Sequence, residues 1–232
     1  MGSTALSPGH KCCNLARTSL MRSLPRPVRA IIIHGMGRTP LSMLVLATRL
    51  RTMGIRPSLF AYWAALERFD GCVRRFAAYI ENRAATDRYI LIGHSLGTVL
   101  MRATLPMLAH KPLACFMLAP PVRVSRAARR FAPRTIYQWL TGEMGRLLAD
   151  KQFMASLPMP DVPTKIYAGT GGPLGRYSPF GRIPNDGVLS VDETLMPTIP
   201  AQQVASLHTF IMNSKDVAHD IAKLTEALVS ST

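Results

Sequence analysis

The amino-acid sequence predicts an α/β protein with a mostly parallel central sheet and helices on both faces. Short apolar runs rich in β-branched residues recur along it, of the kind that form strands covered on both sides. Segments with helical spacing of apolar residues separate these runs, so strand and helix alternate. The chain has 232 residues, 48% of them hydrophobic, which suits one domain with a sizeable core.

Ala30-Ile31-Ile32-Ile33 is the first strand, ending at His34-Gly35. Thr39-Pro40 then offers an N-cap residue and a proline for the first helical position, opening a helix over 41–53 that Gly54 stops. A second strand is expected over 58–62, and a helix over 66–85 with Arg and Glu on its outer face. Tyr89-Ile90-Leu91-Ile92 is a third strand, followed by a helix over 96–109. A strand over 114–118 stops before Pro120-Pro121. The pattern is helical over 136–157, extended over 165–168 and 204–207, and helical over 216–229. Residues 30–232 therefore form the domain, with 121–160 as a small cap-like insertion and 1–29 as a flexible leading segment.

Charge narrows the partners. The 28 basic and 13 acidic residues give a formal net charge of +15, and the first acid is Glu67. A solvated Arg-rich surface is the expectation, with peripheral contact to an anionic membrane as the alternative. No aromatic-interleaved basic patch or nucleic-acid motif is present, so no nucleic acid is expected. Residues 1–29 lack an apolar stretch, so no secretory signal is expected. Their Arg- and Ser-rich, acid-free composition suits an organelle transit segment or a frayed terminus. Leu6 stands where a myristoylation pattern needs Ser or Thr. No run of about 18 uncharged apolar residues predicts a membrane span. Cys12, Cys13, Cys72 and Cys115 have neither metal-ligand nor disulfide-framework spacing, so a reduced, cytoplasmic setting is expected. No metal or organic cofactor is implied.

Chemistry enters at Gly93-His94-Ser95-Leu96-Gly97, a G-x-S-x-G motif between a predicted strand and a predicted helix. In that context a sharp, strained turn lifts the serine hydroxyl into the open. Strand and helix then pass so closely that the flanking positions require glycine. Ser95 is the candidate nucleophile. An oxyanion formed by its attack needs backbone N–H donors. Leu96, just after the serine, supplies one. Met36, in His34-Gly35-Met36-Gly37 at the end of the first strand, is the candidate for the second. His34 is assigned a structural part, bracing that loop.

A serine hydroxyl needs a base, and the base an orienting carboxylate. Behind a nucleophile elbow the acid precedes the histidine in the chain. Three histidines follow Ser95. His110 ends the helix that Ser95 begins, about 20 Å away at 1.5 Å per residue. His219 lies within the last helix. His208 directly follows the expected strand 204–207 and is the candidate base. Among the acids, Glu143 and Asp150 fall on a polar helix face and Asp161 precedes a strand. Glu193 adjoins Asp192 in the short run 190–194. Asp186, in Asn185-Asp186-Gly187, sits in a tight turn after a strand and is the candidate acid, with Asp192 as its rival.

Together these residues resemble the lipase and esterase branch of the α/β-hydrolase superfamily over about residues 30–229. The likeness is to bacterial triacylglycerol-lipase-like and PGAP-type groups. There an H-G-x-G loop, a G-H-S-x-G elbow and a D-G-V/L acid loop precede a late histidine. Here these read His34-Gly35-Met36-Gly37, Gly93-His94-Ser95-Leu96-Gly97, Asp186-Gly187-Val188 and His208. The resemblance implies an α/β-hydrolase fold with a small lid or none, and a serine esterase acting on a small-molecule or lipid ester. A thioesterase or acyltransferase would use the same residues. A non-catalytic basic module binding membrane or nucleic acid is the alternative of another class. Substrate choice is expected to lie in 121–160 and 171–184. Leu140, Met144, Leu147 and Leu148 form either an apolar face over the site or the inner stripe of a packing helix. Arg123, Arg126, Arg130 and Arg134 fall near helical spacing, as a solvated face or a contact for anionic headgroups.

Overall fold

Six strands build one sheet: β1 (Arg29–Ile33), β2 (Arg56–Phe60), β3 (Tyr89–His94), β4 (Ala114–Leu118), β5 (Thr164–Gly169) and β6 (Ala201–Val204). Their spatial order is β2-β1-β3-β4-β5-β6, and every neighbouring pair is parallel. Among the described residues the helices are α1 (Leu44–Thr52), α2 (Phe69–Ala84), α3 (Leu96–Thr104), α4 (Thr135–Ala149), α5 (Lys151–Ser156), α6 (Val191–Thr194) and α7 (Lys215–Ser230). This computed structural model describes residues 27–84, 87–124, 135–176 and 178–231, with backbone alone for 135–141. The segment through residue 26 with Cys12 and Cys13, the arginines at 126, 130 and 134, and the Leu140 side chain lie outside the described residues.

The continuous apolar runs follow from coverage on both faces. Ile31, Ile33, Leu91, Cys115 and Met117 pack on one side with α2 and α3. Ala30, Ile32, Ile90, Ile92 and Phe116 pack on the other with α1 and α7. Successive side chains of a strand alternate faces, so β1 and β3 need apolar residues at every position. Met144 and Leu148 are buried in the first cluster and Leu147 packs against it, which makes them core side chains of α4. Arg123 is exposed.

The helix expected over 96–109 ends at Thr104 before a 3-10 turn and that expected over 41–53 opens as one; four further boundaries move for a local reason. The helix of 136–157 is two helices. Gly142 breaks the first at φ 59°, where a Cβ would stand 2.6 Å from Ala65 O. Asp150 then caps the next by accepting from the Gln152 and Phe153 N–H groups. The helix expected from 66 begins at Phe69, because the Glu67 carboxylate instead accepts the Trp63 N–H and pairs with Arg75. The second strand ends at Phe60, leaving Tyr62 to reach His34 O with its hydroxyl. The last strand is Ala201–Val204 rather than 204–207. It is an edge strand with no fully buried position, so its own sequence, AQQV, lacks the apolar signal. Among the described residues no helix is long and apolar enough to cross a membrane.

Candidate active site

Parallel pairing sends every carboxyl end of the sheet to one edge, and the loops that leave there meet. Ser95 stands at the end of β3 with φ 50° and ψ −122°, a conformation that non-glycine residues rarely adopt. The turn is held around it. The Ser95 N–H donates to Leu118 O at 2.9 Å, and Ser95 O accepts from the Thr98 N–H and hydroxyl at 2.9 and 2.7 Å. A Cβ on Gly93 would meet Thr98 N at 3.0 Å, and one on Gly97 would meet His34 O at 2.6 Å. Both flanking glycines are thus required by backbone passing backbone. Ala119, at the end of neighbouring β4, also has positive φ, 46°; no residue pattern marked it.

The loop 34–37 lies directly against this elbow. A Cβ on Gly35 would fall 3.0 Å from Ser95 Cβ. His34 braces the loop as expected. Its Nδ1 lies 2.9 Å from Gly35 O, its carbonyl accepts from Tyr62 Oη, and its ring stacks on the Tyr62 ring at 4.4 Å. Met36 and Gly37 form the turn that follows, with Gly37 at φ 65°. Leu96 is the first residue of α3, where helical N–H groups have no intrahelical partner.

His208 lies beyond β6. After Val204 the chain turns away from the ladder, while Thr170 and Gly171 follow it by donating to Val204 O and Ser206 O. Three connecting residues carry it across the sheet edge, and His208 opens a 3-10 turn, His208–Asn213. Its Nε2 lies 2.9 Å from Ser95 Oγ and its Nδ1 lies 2.7 Å from Asp186 Oδ2. Asp186 is almost fully buried. Its Oδ1 accepts the Val188 and Leu189 N–H groups at 2.9 and 2.7 Å, and its carbonyl accepts the His208 N–H. A carboxylate so bonded presents its remaining oxygen in a fixed direction. Asn185 anchors the same turn, accepting from the Gly187 N–H and donating to Pro173 O and Ile183 O.

The structure therefore brings Ser95, His208 and Asp186 together and leaves Asp192 exposed on α6, away from the imidazole. Glu193 is buried as the partner of the Ser190 hydroxyl and N–H. Asp161 pairs with Lys111 at the opposite edge. Sequence reasoning missed His94. Its Nε2 donates to His208 O at 3.0 Å, and its ring lies 5.0 Å from the His208 ring. Burial, then the charge of nearby His208, holds His94 well below its ordinary value, so it stays neutral. Its place as the second residue of the motif was the available signal. Burial also pushes the Cys72 thiol up to about 12 and raises Cys115, so both stay protonated. Among the described residues no group of three or more His, Cys, Asp or Glu could hold a metal ion.

Residues 30–221 match the protein family described as Alpha/beta hydrolase family. Several solved structures share the fold. The mature lipase BlEst2 of Bacillus licheniformis superposes with a TM-score of 0.64 at 14% identity, covering 88% of this chain and 94% of that one. A carboxylesterase structure from the thaumarchaeon Nitrososphaera gargenis gives 0.60 at 11% identity, covering 89% and 93%. The RedJ thioesterase of Streptomyces coelicolor prodiginine biosynthesis gives 0.56 at 15% identity, covering 87% and 85%. No curated protein sequence matches the chain.

Proposed function

This chain belongs to the alpha/beta hydrolase family, and we propose that within it the protein is a serine esterase that works through Ser95, His208 and Asp186. One observation carries the reading: hydrogen-bond spacing runs unbroken from Ser95 Oγ through both nitrogens of His208 to Asp186 Oδ2. Because Nδ1 donates to a carboxylate, Nε2 is the free base facing the serine hydroxyl.

Ser95 Oγ attacks the ester carbonyl carbon, and its proton passes to His208 Nε2. Asp186 steadies the imidazolium formed. The Met36 and Leu96 N–H groups stabilise the oxyanion; the packing of loop 34–37 against the elbow supports this assignment. The bond from the acyl carbon to the alcohol oxygen then breaks, and the alcohol leaves with the proton from Nε2. A water molecule, deprotonated by His208, attacks the acyl-serine. The acid departs and Ser95 Oγ recovers its proton.

Labelling with a fluorophosphonate probe tests this. Wild type is expected to label and to hydrolyse p-nitrophenyl acyl esters, and Ser95→Ala to do neither. Folded wild type that resists the probe overturns the reading. Turnover of acyl thioesters well above that of matched oxygen esters would redirect it to a thioesterase using the same residues.

A further inference from the structure

The exposed apolar residues are segregated by edge. Of thirteen large hydrophobic side chains exposed among the described residues, only Met107, Met159 and Leu195 lie at the amino edge of the sheet. Eight others, Leu41, Trp63, Leu66, Leu174, Ile183, Val188, Leu207 and Phe210, lie in the segments that leave the carboxyl ends of strands, and Leu44 and Val45 stand on α1. Leu66 is 82% exposed, Leu41 71% and Trp63 66%; Leu174, Leu207 and Phe210 are exposed with them. They occupy the connectors after β1, β2, β5 and β6, which converge on the candidate site. The 3-10 turns carrying Leu41 and Phe210 pack together, and Arg38 reaches Thr209 O across that junction. Scattered exposed hydrophobes need no explanation, but a set gathered around one opening does.

Arginines stand at both edges, and at this one they lie among the exposed apolar side chains. The connectors leaving the strands at this edge carry Arg38, Arg68, Arg123, Arg176 and Arg182. Their two acids are engaged elsewhere, Glu67 with Arg75 and Asp186 with His208. The other acids of this edge are Glu143, paired with Arg68, Glu193, bonded to Ser190, and Asp70, Asp192 and Asp216 in helix first turns. A rim of Trp, Leu and Phe interleaved with Arg matches the boundary of an anionic bilayer. Apolar side chains enter the acyl region there and guanidinium groups meet phosphate. A second copy of this face would bring its arginines against each other.

We propose that the carboxyl edge of the sheet docks on anionic lipid bilayers and that Ser95 acts on an ester presented from the membrane. The docking surface stands on its own; the substrate class rests on the esterase reading.

Vesicle co-sedimentation of the full chain tests it, using phosphatidylcholine vesicles with and without a quarter phosphatidylglycerol. The protein is expected to prefer the anionic vesicles by about tenfold or more and to lose that preference at about 0.5 M salt. Trp63→Ser combined with Leu66→Ser is expected to lower anionic-vesicle binding about tenfold, with turnover of a water-soluble ester retained. Met107→Ser combined with Met159→Ser should change nothing. No binding to anionic vesicles, or equal loss in both double variants, overturns the docking. A dimer broken by the Trp63, Leu66 pair, without vesicle binding, overturns it in favour of a second copy. Fluorophosphonate labelling of the same samples separates the two proposals. Protein that labels at Ser95 but ignores vesicles sinks the docking alone. Protein that binds vesicles without Ser95-dependent labelling sinks the esterase reading alone.

Discussion

The two halves of the candidate site are held by different forces. The Ser95 side is fixed by exclusion: Gly93, Gly97 and Gly35 stand where a single extra carbon would collide with backbone or with the elbow. The Asp186 and His208 side is fixed by hydrogen bonds between loops, from Val188, Leu189 and His208 N–H groups to Asp186, and from His94 to His208 O. Steric constraint is short-ranged and resists any change of shape. Hydrogen-bonded loops tolerate shape changes but depend on each donor and acceptor. Substitutions on the two sides should therefore fail differently.

The largest effect is expected on the polar side. Asp186→Asn keeps the shape but lets an amide face Nδ1, which favours the wrong imidazole tautomer. A fall in kcat of about 10⁴-fold, with folding retained, is expected from steady-state ester hydrolysis. A loss below tenfold would remove Asp186 from the reaction, and Asp192→Asn would then be the variant to measure.

Gly97→Ala probes the other side. Its Cβ would meet His34 O at 2.6 Å and Ile33 O at 2.8 Å, both backbone atoms that cannot swing away. A destabilisation of about 1–3 kcal/mol is expected in denaturant unfolding. Unchanged stability would show that the elbow is looser than its geometry says.

His94→Leu sits between the two regimes, since His94 belongs to the elbow and holds the opposite loop. Losing its bond to His208 O is expected to lower kcat about tenfold, roughly the worth of one hydrogen bond, with KM unchanged. Fluorophosphonate labelling should slow in parallel. A rise in KM with kcat intact would make His94 a packing residue only.

The smallest effect is on pH dependence. His34 and His94 are both held below 6.5 by burial, so both are neutral when folded. The unfolded chain binds protons at these two positions below about pH 6.5, and the folded chain does not until lower pH. Their contribution is therefore complete above about pH 6.5 and lost as pH falls below it. Urea unfolding at pH 7.5 and 5.5 should show this loss, reduced in His94→Leu.

Legibility differs between the same two regions. The elbow could be read because its requirement is local. A buried strand, two glycines and a serine within five residues describe one turn whose sterics depend on adjacent backbone. Loop 34–37 was equally readable from its glycines and its place after β1. His208 was found by its position in the chain, though the strand taken to precede it was misplaced by three residues. The Asn-Asp-Gly turn favoured Asp186 over Asp192, six positions on, and the crossing of the loop after β6 over the sheet edge is what puts Asp186 at the imidazole.

The sequence by itself determined the alternation of strands and helices, the burial of β1, β3 and β4, and the serine at its turn. Periodicity and glycine placement act over a few residues, so they leave a trace in the residues themselves. Only the tertiary structure decided that Asp186 is the carboxylate at the imidazole, that His94 holds the His208 carbonyl, and that exposed apolar side chains gather at one edge. Those facts join positions 22 to 114 residues apart, and such contacts exist only once six parallel strands have brought their carboxyl ends together.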